Sequence, residues 1–143
     1  MVRPSTFFGV ILLTVLAFTF GACAKPGSAP LEDTTWILKS YGEQGNLLTV
    51  LEGTEITATF GSAEKRVNGS AGCNSYFGDY ELSDKKLTFL VMGHTEMYCM
   101  EPEGAMEQET QYLKTLNSAE SYQVKDGTLQ VNSGDEILIY TAK

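Results

Sequence analysis

Residues Glu55-Ile56-Thr57-Ala58-Thr59-Phe60 alternate without a break, with Ile56, Ala58 and Phe60 on one face and Glu55, Thr57 and Thr59 on the other. Successive side chains leave a strand on opposite sides, so a period of two with one apolar face marks a half-buried antiparallel strand. The pattern recurs along the chain. Tyr76–Leu82 and Lys86–Val91 read as a strand pair joined around Ser83-Asp84-Lys85, with Leu87, Phe89 and Val91 sharing a face. Strands are also expected over Thr34–Tyr41 and, after a turn at Gly61-Ser62-Ala63-Glu64, over Lys65–Ala71. At the C-terminus Ser121–Lys125, Thr128–Asn132 and Glu136–Thr141 form a meander, punctuated by Asp126-Gly127 and Ser133-Gly134-Asp135. Trp36, the sole tryptophan, is expected in the core.

One helix interrupts the strands, from about Glu103 to Leu116. Pro102 is placed in its first turn, where a missing N–H costs nothing. Met106, Thr110, Leu113 and Leu116 form its stripe, with Tyr112 beside it. Glu101, Glu103, Glu107 and Glu109 crowd its first half, where the macrodipole favours negative charge; that reading is preferred to an acidic metal site. The fold class is therefore mainly β with one α-helix, a small antiparallel barrel or strongly curved sheet.

The N-terminus reads differently. Arg3 precedes the apolar run Phe7–Phe20, and small residues Gly21-Ala22 stand before Cys23. A basic start, an apolar stretch and small residues at its end describe an export signal over residues 1–22. The run is shorter than the roughly 20 apolar residues of a spanning helix. Phe20-Gly21-Ala22-Cys23 resembles the lipobox of bacterial lipoproteins, with Phe20 in place of the more frequent Leu. The resemblance implies lipid on Cys23 and an extracytoplasmic location, at the outer membrane in a Gram-negative cell given Ala24 after the cysteine. The alternative is ordinary cleavage after Ala24. Residues 23–33, with Pro26, Gly27, Ser28 and Pro30, have the composition of a flexible tether, leaving residues 34–143 as the domain. A net charge of -8 disfavours nucleic acid and anionic lipid surfaces as partners and suits a monomer.

The densest motif is Gly69-Ser70-Ala71-Gly72-Cys73-Asn74-Ser75-Tyr76-Phe77-Gly78-Asp79-Tyr80, followed by Thr95-Glu96-Met97-Tyr98-Cys99. Together with Trp36-Ile37-Leu38 and Met106-Glu107-Gln108-Glu109…Tyr112-Leu113, it closely resembles the META domain, a family that includes HslJ-like heat-shock lipoproteins. The resemblance spans about Leu31 to Ala142. It implies a compact β domain linked to heat-shock or envelope stress and to resistance to hydrophobic antibiotics such as novobiocin, and it brings no enzymatic activity or cofactor. Read from the residues alone, Gly69, Gly72 and Gly78 permit bulges, positive φ or close backbone approach. Asn74 holds a turn, and Tyr76 and Tyr80 share a face. Thr95 and Met97 belong to the same motif as structural or contact residues.

Cys73 and Cys99 are expected to lie close together, either as a disulfide or as two reduced, buried thiols; the disulfide is preferred outside the cytoplasm. A thiol hydrolase built from Cys99, His94 and Asn74 is the weakest reading, because the chain has one histidine and a second cysteine to consume the thiol. A zinc site lacks CxxC spacing and a fourth ligand. The leading expectation is a non-enzymatic, membrane-tethered envelope domain acting through an envelope protein. The alternative is a β-barrel that encloses a small apolar ligand.

Overall fold

The computed structural model describes residues 29–143; the export signal expected over residues 1–22 and Cys23 lie outside the described residues. Nine strands and one helix follow in order: β1 (Thr35–Glu43), β2 (Asn46–Thr49), β3 (Thr57–Gly61), β4 (Arg66–Ser70), β5 (Ser75–Ser83), β6 (Lys86–His94), α1 (Ala105–Asn117), β7 (Ser121–Lys125), β8 (Thr128–Ser133) and β9 (Glu136–Ala142). All pairings of these strands are antiparallel, and β1 pairs with β9, so the strongly curved sheet closes into a ring. The first half of β1 pairs with β3 and its second half with β2. The ring is thinnest between β6 and β7, which pair only at Lys86 opposite Ser121. No described helix is long and apolar enough to cross a membrane.

The alternation seen in the sequence becomes the inside of this ring. Ile56, Ala58, Phe60, Val67, Leu87, Leu129, Val131 and Leu138 are fully buried. Phe60 meets Tyr80 edge to face at 5.3 Å. Trp36 is fully buried, and its Nε1 donates to the Leu31 carbonyl at 2.9 Å. Leu31 itself is buried, so it packs with the core. Glu32 accepts hydrogen bonds from Lys65 and Tyr80, which hold its carboxyl below the ordinary range. Asp33 accepts from the Ser62 N–H and hydroxyl, which lower its pKa too.

Close approach explains two of the motif glycines. A Cβ on Gly69 would lie 1.9 Å from the Thr57 carbonyl oxygen, and one on Gly78 would lie 2.3 Å from the Met92 sulfur. Beside Gly78 the register shifts: Gly78 faces Met92 while Tyr80 faces Phe89. Leu90 and Val91 therefore stand opposite the single residue Asp79, a β-bulge that flips the side-chain parity. This corrects the expectation for Val91, which is exposed rather than sharing the inner face of Leu87 and Phe89.

The helix is also placed differently from the expectation. Gly104, in the left-handed region at φ 87°, is its N-cap, and Pro102 lies in the preceding turn rather than the first helical one. Its buried residues are Ala105, Gln108, Glu109, Tyr112, Thr115 and Leu116. Thr110 is exposed, and Met106 and Leu113 are only partly buried. Three polar side chains, Gln108, Glu109 and Thr115, are thus buried on the helix, on a face that apolar periodicity assigned to Met106, Thr110 and Leu113. Strand β2 was not anticipated.

Candidate functional site: a buried clasp under an exposed loop

After β4 the chain makes a tight turn, closed by the Ala71 N–H donating to the Asn74 carbonyl at 2.7 Å. Gly72 has a φ of 111° there, a backbone state that L side chains rarely adopt. This turn aims the N–H groups of Cys73 and Asn74 at helix α1. Glu109 Oε2 accepts them at 3.1 and 2.6 Å, and Oε1 accepts from Asn74 Nδ2 at 2.6 Å. Glu109 is buried, and three N–H donors satisfy its carboxylate. It is not a solvated first-turn charge serving the macrodipole.

Asn74 passes the connection on. Its Oδ1 accepts from the Met97 N–H and the Thr95 hydroxyl, both at 2.7 Å, and Nδ2 also donates to the Met97 carbonyl at 3.0 Å. The side-chain amide thereby pairs with Met97 as a neighbouring strand would. The Thr95 N–H donates to the Ser75 carbonyl at 3.0 Å. Cys73 and Cys99 form a disulfide, S–S 2.03 Å, with their Cα atoms 5.9 Å apart. The segment after β6 contains no regular structure, yet it is tied at Thr95, Met97 and Cys99.

The same helix anchors two further places. Gln108 accepts from the Leu51 N–H at 2.7 Å and donates to the Thr54 hydroxyl at 2.9 Å, fixing the loop between β2 and β3. Tyr112 stands in a chain of hydroxyls running from Tyr140 through Tyr112 and Tyr76 to the Thr57 carbonyl. Burial raises the pKa values of all three tyrosines, so each remains a neutral donor.

What the clasp holds out is apolar. Met97, Tyr98 and Met100 are 57%, 79% and 80% exposed. Between this loop and α1 lies an open cavity of about 490 Å³, lined by His94, Thr95, Glu96, Met97, Tyr98, Met106 and Leu113, with Asn74 and Glu109 in its wall.

The structure thus brings Cys73, Asn74, Thr95, Met97 and Cys99 together, while Gly69, Tyr76 and Gly78 form the adjoining sheet. Tyr80 works elsewhere, bonded to Glu32 and the Gly61 carbonyl. Cys99, His94 and Asn74 make no hydrogen bond to one another: the Cys99 sulfur is bonded to Cys73, and His94 Nδ1 meets the Thr95 carbonyl at 2.8 Å. Glu109 and Gln108 were missed as site residues. The signal was present in the spacing of Ala105, Gln108, Glu109, Tyr112, Thr115 and Leu116, a helical stripe visible once polar residues are admitted to it.

No curated protein matches the chain. Among solved structures it is similar to a protein from Burkholderia xenovorans, determined by NMR, with 26% identity and a TM-score of 0.66 over 91% of this chain and 99% of that one. A DUF4847 family protein from Bacteroides vulgatus shares the fold at 14% identity and a TM-score of 0.54, over 78% of this chain and 93% of that one. The sequence profile of the META domain matches residues 29–143, which include every element described above. The chain belongs to the META domain family.

Proposed function

We propose that the protein is an exported, membrane-tethered and non-enzymatic envelope domain, anchored through lipid on Cys23. It contacts an envelope protein through Met97, Tyr98 and Met100, and so supports tolerance of heat or envelope stress and of hydrophobic antibiotics. The observation that carries this reading is the exposure of three large apolar side chains on a loop tied down by Asn74, Glu109 and the disulfide. Exposed apolar clusters of this kind serve as contact surfaces, and Met and Tyr are enriched at interface cores. Holding the loop in advance lowers the ordering cost of association. The interior of the ring is filled by Trp36, Phe60, Tyr76, Tyr112, Tyr140 and their neighbours, so contact at the surface is preferred to an enclosed ligand.

The test is complementation of cells that lack the protein. A chain carrying Met97→Ser, Tyr98→Ser and Met100→Ser is expected to fold and reach the membrane at wild-type level, yet fail to restore growth under heat or novobiocin. Cys23→Ala is expected to fail as well, through loss of the anchor. Full rescue by the triple variant would overturn the contact surface, and membrane retention of Cys23→Ala would overturn the lipid anchor.

A further inference from the structure

Four of the five methionines, Met92, Met97, Met100 and Met106, fall between residues 92 and 106, and the only histidine stands among them. Met92 packs against the core, but the packing of the domain does not account for the others. Met97 is exposed, and Met106 is only partly buried. His94, Met97 and Met106 line the same cavity of about 490 Å³, from three different backbone segments: the end of β6, the clasped loop and the first turn of α1.

Each of the three residues is held in place by a contact of its own, at the ring of His94, the backbone of Met97 and the sulfur of Met106. His94 Nδ1 lies 2.8 Å from the Thr95 carbonyl, which can only accept, so Nδ1 is the donor there and Nε2 is the nitrogen left for a metal. A backbone carbonyl on one imidazole nitrogen is the usual outer support of a metal-binding histidine. Met97 is fixed at both its N–H and its carbonyl by Asn74. The Met106 sulfur accepts the Cys99 N–H at 3.4 Å, which holds it at the cavity wall.

We propose that His94 Nε2, Met97 Sδ and Met106 Sδ bind one Cu(I) ion in this cavity. The donor set decides the metal. Thioethers are soft, uncharged ligands that select Cu(I), whereas zinc sites use thiolate, imidazole and carboxylate, and calcium and magnesium sites use oxygen. The competing ligands nearby are already committed: Glu109 to three N–H donors, and both cysteine sulfurs to each other. Among the described residues no three His, Cys, Asp or Glu side chains come together, so a site here depends on the methionines. Glu96 lies on the exposed rim and remains solvated.

The site shares Met97 with the contact face proposed above but does not rest on that reading, because metal binding is read on the purified protein alone. The experiment uses the full-length chain in detergent, with the disulfide intact and free thiols alkylated. It is titrated anaerobically with Cu(I) against a chromophoric Cu(I) chelator, and in parallel with Ag(I) as a redox-inert probe. One equivalent of either ion is expected to be held, and excess Zn(II) should leave it in place. Met97→Leu and Met106→Leu preserve side-chain volume and should leave the protein folded, with at most a small fall in the thermal transition for Met106→Leu, which loses the acceptor of the Cys99 N–H. Each is expected to weaken Cu(I) binding by at least about tenfold, with His94→Asn doing the same and Met92→Leu leaving it unaltered. Failure to retain one equivalent, or retention undiminished in the Met97→Leu/Met106→Leu double variant, would overturn the proposal.

Discussion

Replacing Glu109 with alanine destabilises the domain by about 3–5 kcal/mol, a large share of the roughly 5–15 kcal/mol that holds a domain of this size together. The loss has little to do with helix propensity, which favours alanine. It comes from the N–H groups of Cys73 and Asn74 and from Asn74 Nδ2, all of which point at the carboxylate. Burial leaves those donors few alternatives, and an unsatisfied buried donor costs about 1–3 kcal/mol. Glu109→Gln costs less, about 1–3 kcal/mol, because it keeps one acceptor oxygen but turns an NH₂ group toward a donor. Urea unfolding checks both, as a fall in midpoint at constant slope. Values near zero for the alanine variant would mean that the turn finds other partners.

Removing the disulfide by Cys73→Ser and Cys99→Ser costs about 3.5 kcal/mol on the chain-entropy account, because the sequence separation of 26 sets the loop that the unfolded chain regains. The wild-type protein in reductant should unfold at the same urea midpoint as the double variant. The two perturbations should not add. Glu109 accepts from the N–H of Cys73 itself, so coupling of about 0.5–3 kcal/mol is expected between them. Simple additivity would separate the bond from the network.

The wall of the ring was legible because its residues obey a local rule. Ile56, Ala58 and Phe60 are inside and Thr57 and Thr59 are less buried, as a period of two requires. The Asp126-Gly127 turn carries positive φ at both positions, matching the hairpin signal. What escaped notice depends on distant partners. Gln108 is buried because the Leu51 N–H, 57 residues away in sequence, needs an acceptor, and Glu109 is buried because Asn74 arrives from 35 residues away. Neither side chain announces this within its own helix. Strand β2 escaped because all four of its residues are exposed, leaving no alternation to read. The parity flip at Leu90 and Val91 depends on a bulge, which a two-residue period cannot register. The motif is legible as a run of residues, but its acceptor on α1, Glu109, could not be assigned from apolar spacing.

The central claim is that Asn74, bound to Glu109, holds the loop bearing Met97, Tyr98 and Met100 in one place. Amide hydrogen exchange at Met97 tests it most directly. In the wild-type protein this N–H, buttressed by Asn74 Oδ1 at 2.7 Å, should exchange much more slowly than an open loop amide. In Asn74→Ala its protection should vanish while that of β8 and β9 persists. Equal, rapid exchange at Met97 in both proteins would contradict the account.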